Sequence, residues 1–227
     1  DGKHEHPTQT LLDLFTIREH LGRLRDFDLA IAGDLKYGRT AHSLAIALTM
    51  FEGVRLHLFS HPDLALPESI LRNVKSRGVE VVTHDDIGEA GRATDILYQT
   101  RIQKERMPDQ GEFERAKAMS EFTLEMLERT KPTFGLMHPL PIDKTAPSIS
   151  PAIDGHPKAI YKVQAGNGVP TRLTELALAL GLLGGDFAGE ELKAPAAEDG
   201  FFTESLIEVK PPRTDMYAAS LLTRSAW

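Results

Sequence analysis

Short apolar runs alternate with helical patterns along most of this chain, and that alternation restricts the fold more than any other feature. The predicted strands are 27–32, 54–59, 79–82, 95–99 and 134–137. The predicted helices begin with one near Pro7 and continue with 40–51, 67–76, 87–92, 112–129 and 171–183. Because the cores of the strands are apolar throughout, both faces of their sheet should be covered. The pattern therefore predicts an α/β fold, a doubly wound parallel sheet with helices on both faces.

Polar or proline-containing loops follow three of the predicted strands. They are 33–40 after the first strand, 100–106 after the fourth and 138–141 after the fifth. In open parallel sheets, ligands bind at the carboxyl ends of the strands. We therefore expect a binding pocket at this edge of the sheet.

Composition excludes several classes of function. The 227 residues carry 26 basic and 33 acidic side chains, a net charge of −7, without a basic cluster that would favour nucleic acid or an anionic membrane. The absence of cysteine excludes disulfides, thiolate metal sites and a cysteine nucleophile, and it fits a cytoplasmic location. No apolar run has the length of a membrane span. The chain begins at Asp1 rather than at methionine, which indicates a processed or truncated protein.

The glycine loop after the first strand admits three interpretations. Gly33 and Gly38 have the spacing of a phosphate-binding P-loop, but Arg39 stands where that motif requires lysine. The planar guanidinium of arginine does not replace the compact lysine charge. The loop could therefore be a nucleotide site, a plain strand-to-helix turn, or a turn that presents Arg39 to a carboxylate.

A second arginine and a histidine add to this pattern. Arg101 follows the fourth strand, and two arginines at one edge suit a dicarboxylate, although Arg101 could instead form a surface pair with Glu105. His6 and Gln9 stand together at a helix start, where they suit a carbonyl or amide ligand or act as capping residues.

Five segments in this order resemble the second half of aspartate carbamoyltransferase catalytic chains, over roughly residues 1–185. They are 6–17 (HPTQTLLDLFTI), 33–40 (GDLKYGRT), 97–106 (LYQTRIQKER), 138–141 (HPLP) and 164–168 (QAGNG). The related ornithine carbamoyltransferases typically have a cysteine in the proline loop and a serine-methionine-glycine segment. Here Pro139 and the segment 101–106 stand in those places, which favours aspartate as the acceptor.

The resemblance implies the chemistry and the residues that perform it. The amine of L-aspartate would attack carbamoyl phosphate, giving N-carbamoyl-L-aspartate and phosphate in pyrimidine biosynthesis, without a metal or an organic cofactor. His6 would polarise the carbamoyl oxygen. Gln9 and the carbonyls of Pro139 and Leu140 would hold the carbamoyl amide and the attacking amine, and Arg39 would bind the α-carboxylate of aspartate.

The segment after the fourth strand would bind the other end of aspartate. Arg101 is expected to bind the β-carboxylate with help from Gln103, while Glu105 would orient Arg101. Lys104 and Arg106 would serve domain closure. His6, Arg39 and Arg101 are thus the expected catalytic residues, and the Leu140–Pro141 bond is a candidate cis peptide, as in the family.

The sequence also departs from the family pattern. Ile142 stands where an arginine usually follows the proline loop. The Ser-Thr-Arg-Thr-type phosphate loop and the lysine loop lent by a neighbouring subunit do not occur in this sequence. The resemblance implies a partner N-terminal carbamoyl-phosphate domain, a homotrimer and a possible regulatory partner. Two alternatives stay open: a non-catalytic dicarboxylate-binding or interaction relative, and a nucleotide-binding module.

The predicted domain organisation follows from the same patterns. Residues 1–24 form an interdomain helix with the His-Pro-Thr-Gln motif, and residues 25–164 form the aspartate-binding α/β domain. Residues 165–185 form a C-terminal helix. The acidic segment 186–227 is an extension or linker of unknown role, with a strand-like run at 201–209.

Overall fold

A parallel sheet of five strands forms the centre of the computed structural model, which describes residues 5–107, 109–143, 147–180 and 182. The strands lie in the order β3-β2-β1-β4-β5. Their bounds are β1 Asp28–Ala32, β2 Arg55–Phe59, β3 Glu80–Thr83, β4 Ile96–Gln99 and β5 Gly135–Met137. Each pair of neighbours is parallel, and the chain reverses its direction of winding next to β1. The predicted fold class is confirmed.

Helices connect the strands and cover the sheet. Their bounds are α1 Pro7–Leu21, α2 Arg39–Leu48, α3 Glu68–Ser76, α4 Ile87–Ala93, α5 Gln110–Ser120, α6 Leu124–Glu128 and α7 Tyr161–Ala179. Short 3-10 turns occur at Pro62–Leu64, Lys104–Arg106 and Pro151–Ile153. Among these described elements, no helix is both long and apolar enough to cross a bilayer.

The alternation of side chains along β1 shows how both faces of the sheet are covered. Leu29 and Ile31 pack into a core cluster that also contains Ile17 of α1. Ala30 and Ala32 face the opposite cluster, where they meet residues of α4 and α6. All five residues of β1 are buried, so the strand has no solvent-facing side. This double burial is the physical reason that the strand is apolar from Leu29 to Ala32.

Local sequence signals explain where α1 begins and ends. Pro7 occupies the first turn, where its missing N–H costs nothing. Gly22 ends the helix in the left-handed conformation with φ 71°, and its N–H donates to the carbonyl of Arg18 at 2.7 Å. The motif residues His6 and Gln9 are thereby fixed at the start of a regular helix.

The prediction of one helix over 112–129 is wrong, because the segment forms two helices. The chain leaves helical geometry at Glu121, and α6 starts after the cap residue Thr123. Between them Phe122 is fully buried and stacks against Phe134 at 6.1 Å between ring centroids. Its backbone pairs with Ser148 and Ser150. These tertiary contacts outweigh the helical pattern of the surrounding residues.

The last described helix also differs from its prediction. It starts at Tyr161, ten residues before the predicted start at Thr171, and runs to Ala179. The predicted end at residue 183 and the strand-like run at 201–209 lie outside the described residues. The chain divides into two compact units, Asp1–Gly168 and Val169–Trp227, and the five strands of the described residues belong to the first.

Candidate active site

The loops after β1 and β4 meet at the carboxyl edge of the sheet. Gly33 has φ +106°, and a Cβ on it would lie 2.4 Å from the carbonyl oxygen of Thr100, so only glycine fits this close approach. The Thr100 hydroxyl donates to the carbonyl of Ala32 at 2.9 Å and accepts from the amide of Asp34, also at 2.9 Å. The first and fourth strands therefore deliver their loops to one place.

The interior of the glycine loop is occupied by a side chain of the loop itself. Asp34 is fully buried, and its carboxylate accepts the amide of Tyr37 at 2.9 Å. Burial raises the pKa of Asp34, while the backbone amides of Tyr37, Lys36 and Gln103 oppose that rise. In a P-loop such amides are available to phosphate. Their engagement with Asp34 disfavours the nucleotide interpretation.

The backbone of His6, the residue that precedes α1, is hydrogen-bonded to α2, the helix that begins at Arg39. The backbone N–H of His6 donates to the hydroxyl of Ser43 at 2.9 Å, and Ser43 is one turn after Arg39 on the same helix face. The imidazole of His6 is half-buried, with the Thr8 hydroxyl 3.4 Å from Nδ1, whereas Arg39 is exposed. The structure thus brings the expected carbamoyl-side histidine close to the expected carboxylate-binding arginine.

Arg101 pairs with Glu105, as both interpretations of this arginine anticipated. Its guanidinium donates to Glu105 at 2.9 Å, and 36% of the Arg101 side chain is exposed. The pKa of Glu105 is lowered, first by its own backbone amide and then by Arg101. Gln103 lies between them, half-buried, and precedes the 3-10 turn Lys104–Arg106. The pair leaves other donors of the guanidinium available for a ligand carboxylate.

Buried His138 fixes the proline loop. Its Nδ1 accepts the amide of Leu140 at 2.8 Å, so Nε2 carries the proton and donates to the Ser148 hydroxyl at 3.2 Å. Burial, followed by the charge of Arg101, lowers the pKa of His138 to about 4. The imidazole is therefore neutral and acts as a fixed structural link.

The backbone of the proline loop has an uncommon shape. The Leu140–Pro141 bond is cis, as predicted, and Leu140 has φ 53° in the left-handed region. Such a φ costs a leucine about 1 kcal/mol, so the surrounding contacts must hold it. Ile142, which replaces the family's usual arginine, packs half-buried against the core cluster of the α4 face.

Three functionally placed residues were not predicted: Asp13, Tyr98 and Gln164. Asp13 is fully buried in α1, and its carboxylate accepts from Gln9 at 2.9 Å, from Gln164 at 2.7 Å and from Tyr98 at 2.8 Å. The carbonyl of the Gln164 side chain accepts the amide of His138 at 2.8 Å. This network connects the helix of His6 and Gln9 to the proline loop. The spacing of Gln9 and Asp13, one helical turn apart, was the local signal that could have revealed it.

Cationic side chains gather at the carboxyl edge of the sheet in a chain whose net charge is negative. Lys36 lies over the ring of Tyr37 at 5.3 Å from the centroid, and the guanidinium carbon of Arg106 lies 5.4 Å from the same centroid. Together with Arg39 and Arg101, they collect cationic groups on the loops at the carboxyl edge. Such a local concentration of positive charge attracts small anions.

One group among the described residues has the spacing of metal ligands, and ion pairing explains it. His61 lies 3.2 Å from Glu112 and 3.9 Å from Asp63. Glu112 also accepts from Arg115, and that bond is the main cause of its lowered pKa. The adjacent guanidinium already neutralises the carboxylate, and we assign no metal here.

Comparison with known proteins agrees with this geometry. Residues 25–178 match the family described as "Aspartate/ornithine carbamoyltransferase, Asp/Orn binding domain". The aspartate carbamoyltransferase catalytic subunit of Methanocorpusculum labreanum is 46% identical over 177 residues, which cover 78% of this chain and 57% of the relative. This chain thus spans little more than half of that relative's length.

Solved structures show the same similarity. The catalytic subunit of M. jannaschii aspartate transcarbamoylase superposes with a TM-score of 0.72 at 40% identity, covering 78% of this chain and 56% of that one. Aspartate transcarbamoylase from Trypanosoma cruzi, in complex with carbamoyl phosphate and aspartate, has a TM-score of 0.69 at 31% identity, with coverage of 78% and 55%. The chain therefore belongs to the aspartate/ornithine carbamoyltransferase family, whose Asp/Orn-binding domain it carries.

Proposed function

We propose that this chain is the aspartate-binding part of an aspartate carbamoyltransferase. The assembled enzyme transfers the carbamoyl group of carbamoyl phosphate to the amine of L-aspartate, releasing phosphate, as an early step of pyrimidine biosynthesis. The main support is the structural linkage of the family's motif residues. The backbone of His6 is bonded to Ser43, one turn after Arg39 on α2. Gln9 is linked to the proline loop through Asp13, Gln164 and His138, and the charge of Arg101 acts on His138.

The residues divide the reaction between the two substrates. Arg39 and Arg101 each bind one carboxylate of aspartate, and a charge-assisted hydrogen bond of this kind contributes roughly 1.5–3 kcal/mol. Gln103 assists Arg101, and Glu105 orients it through the 2.9 Å hydrogen bond. Such fixed placement favours attack by the aspartate amine on the carbamoyl carbon.

The carbamoyl group is held by the other set of residues. His6 donates to the carbonyl oxygen and stabilises the negative charge that develops on it as the amine attacks. The carbonyls of Pro139, Leu140 and Gln9 accept from the N–H groups of the carbamoyl amide and the amine. The C–N bond forms as the C–O bond to phosphate breaks, and the proton that the amine loses is taken up by the departing phosphate. None of these steps requires a metal or an organic cofactor.

The proposal includes partners and a division of the chain. A preceding carbamoyl-phosphate domain would supply the phosphate anchors, and a cytoplasmic homotrimer would supply the lysine loop, with a regulatory partner as a further possibility. Leu11 and Phe15 of α1, exposed to 49% and 37%, are apolar side chains suited to docking that domain. The division into 1–24, 25–164, 165–185 and 186–227 stays a prediction.

Replacing Arg101 by alanine tests the proposal. In the natural full-length protein, Arg101→Ala should raise the KM for aspartate at least tenfold, because the β-carboxylate loses a bidentate partner. The KM for carbamoyl phosphate should change little. Formation of N-carbamoyl-aspartate measures both constants.

Arg129→Ala is the matched control, because Arg129 is also an exposed arginine paired with a glutamate, Glu125, four residues away. Arg129 lies on the surface at the end of α6. The Arg129→Ala variant should therefore leave the KM for aspartate and the KM for carbamoyl phosphate unchanged. An unaltered response of the Arg101 variant to aspartate would contradict the assignment. Saturable binding of ATP without binding of aspartate would instead support the nucleotide-binding alternative.

A further inference from the structure

Asp13 is the buried hydrogen-bonding centre of the site. Its carboxylate is contacted by Gln9 from α1, Tyr98 from β4 and Gln164 from α7, and all three side chains act as donors. Oδ1 accepts from both glutamines, while Oδ2 accepts from the tyrosine. Residues of α1, β4 and α7 therefore contact one side chain, Asp13, to which the proposed reaction gives no chemical step.

The polarity of this contact determines which end of the Gln9 amide is available. The two ends of a glutamine amide are hard to distinguish by shape, so the hydrogen-bonding partners must decide their assignment. An ionised carboxylate only accepts, and the group facing Asp13 must therefore be the NH2 of Gln9. The carbonyl oxygen Oε1 is left without a partner among the described residues.

Gln164 repeats the arrangement toward the proline loop. Its NH2 donates to Asp13 at 2.7 Å, and its carbonyl oxygen accepts the amide of His138 at 2.8 Å. His138 in turn holds the amide of Leu140 at 2.8 Å. One carboxylate thus fixes the orientation of two amides, one of which leads to the carbonyls of Pro139 and Leu140.

We propose that Asp13 is a positioning residue that holds Gln9 with its carbonyl oxygen toward the carbamoyl amide. This inference rests on the proposed function. The NH2 of the carbamoyl group is a hydrogen-bond donor. With Gln9 held in this orientation, the groups that face the NH2 are all acceptors: Gln9 Oε1 and the carbonyls of Pro139 and Leu140. A Gln9 amide turned by 180° would place a donor against that NH2 and oppose binding.

The acceptor role of Asp13 survives its protonation. Burial raises the pKa of Asp13 to about 7, against the effect of its three donors. In the neutral acid, one oxygen still accepts from both glutamines, and the O–H donates to the Tyr98 hydroxyl. Asparagine reproduces this neutral form with its carbonyl and NH2. Among the groups packed against Asp13 only Tyr98 titrates, and burial raises its pKa well above the ordinary range.

A double-mutant cycle in the full-length enzyme tests the inference. Asp13→Leu and Gln9→Leu should each lower kcat, by roughly tenfold to a hundredfold, because a misplaced substrate group costs that much. If Asp13 acts through Gln9, the double variant should lose much less than the product of the two single losses. Losses that multiply would overturn the proposal, because the two residues would then act independently.

Two further variants keep the test decisive. Asp13→Asn should retain kcat within a few-fold, because asparagine keeps the acceptor oxygen. A loss of kcat in Asp13→Asn as large as that in Gln9→Leu would overturn the proposal. This comparison holds even if Asp13→Leu does not fold. Thr16→Val is the matched control. Thr16 is buried on the same helix, and its hydroxyl accepts a hydrogen bond from the side chain of Asn167 of α7 at 3.0 Å. Loss of this hydroxyl should lower Tm without lowering kcat.

The outcomes separate this inference from the proposed function. A wild-type enzyme that forms no N-carbamoyl-aspartate would refute the function. An active wild type with multiplicative losses in the cycle would refute only the role of Asp13.

Discussion

The carboxyl group of Asp13 is fully buried, and its three partners are neutral donors rather than cations. Removing an ionised carboxylate from water costs several kcal/mol, and neutral donors offset that cost only in part. The pKa of about 7 is the measure of this imbalance. Asp13 therefore lowers stability at neutral pH while it orders the site.

The raised pKa predicts a pH dependence of stability. Between pH 4 and 7 the folded state keeps the proton of Asp13 and the unfolded state releases it, so the free energy of unfolding falls as the pH rises. Relative to Asp13→Asn, wild type should lose roughly 4 kcal/mol over this window and change little above it. Urea unfolding at a series of pH values measures the difference.

A matched control for this series is Asp63→Asn, which removes a carboxylate that is 66% exposed. A plot of the free energy of unfolding of this variant against pH should run parallel to the plot for wild type. Parallel curves for wild type and Asp13→Asn would show that Asp13 has an ordinary pKa.

Among the site residues, those that belong to a recognisable motif could be predicted from the sequence. The buried residues that link one motif to another could not. Arg101 lies in the loop after β4, and Arg39 is the first residue of the helix that follows the loop after β1, so their location follows from the topology of a parallel sheet. Asp13 and Gln164 are 151 residues apart, and no local pattern relates them. Their contact depends on how α1 and α7 cross, which single-sequence periodicity does not contain.

Among the elements, the break between α5 and α6 shows how one side chain can end a helix. Phe122 lies against Gly91 of α4, where an added Cβ would come within 2.9 Å of its ring. It also pairs with the segment around Ile149 through backbone hydrogen bonds. Burying this ring is worth more than continuing the helix through residue 122.

Truncating this side chain should therefore cost much stability. Phe122→Ala is expected to lower the free energy of unfolding by about 3–5 kcal/mol, because it leaves a cavity between α4 and the sheet. Met50→Ala, which truncates a side chain that is 45% exposed, should cost less than about 1 kcal/mol. Denaturant titration of both variants gives the comparison, and equal costs would refute the packing role of Phe122.

The early start of α7 shows why element boundaries were harder to predict than the elements. Residues 161–168 include two glycines and an asparagine, which have low helix propensity, so the helical pattern became visible only from Thr171. Tertiary bonds stabilise the missed turns: Tyr161 donates to Asp154 at 3.0 Å and Gln164 to Asp13 at 2.7 Å. Here packing overrides propensity.

On the scale of the whole molecule, the proposed function gives the described chain one side of a two-sided site. Its sequence contains the arginines proposed to bind the carboxylates and the histidine proposed to bind the carbamoyl oxygen, while the phosphate anchors of the family pattern do not occur in it. A phosphate leaving group without those anchors keeps its charge unneutralised in the transition state.

The 227-residue chain alone should consequently form little or no N-carbamoyl-aspartate. Its turnover should be at least a thousandfold below that of the full-length protein, in keeping with the loss of preorganised charge partners. A radiolabelled carbamoyl phosphate assay measures the ratio. Far-ultraviolet circular dichroism of the same sample provides the control for folding, and turnover comparable to the full-length protein by a folded chain would contradict the two-sided site.

The meeting of α1 and α7 at Asp13 also has a consequence during synthesis on the ribosome. Gln9 emerges together with Asp13, Tyr98 follows 85 residues later, and Gln164 follows 151 residues later. Domains grow from the N-terminus at roughly 5–20 residues per second. The first helix is thus translated many seconds before its last partner, and the orientation of the two amides is completed only when nearly the whole domain has been made.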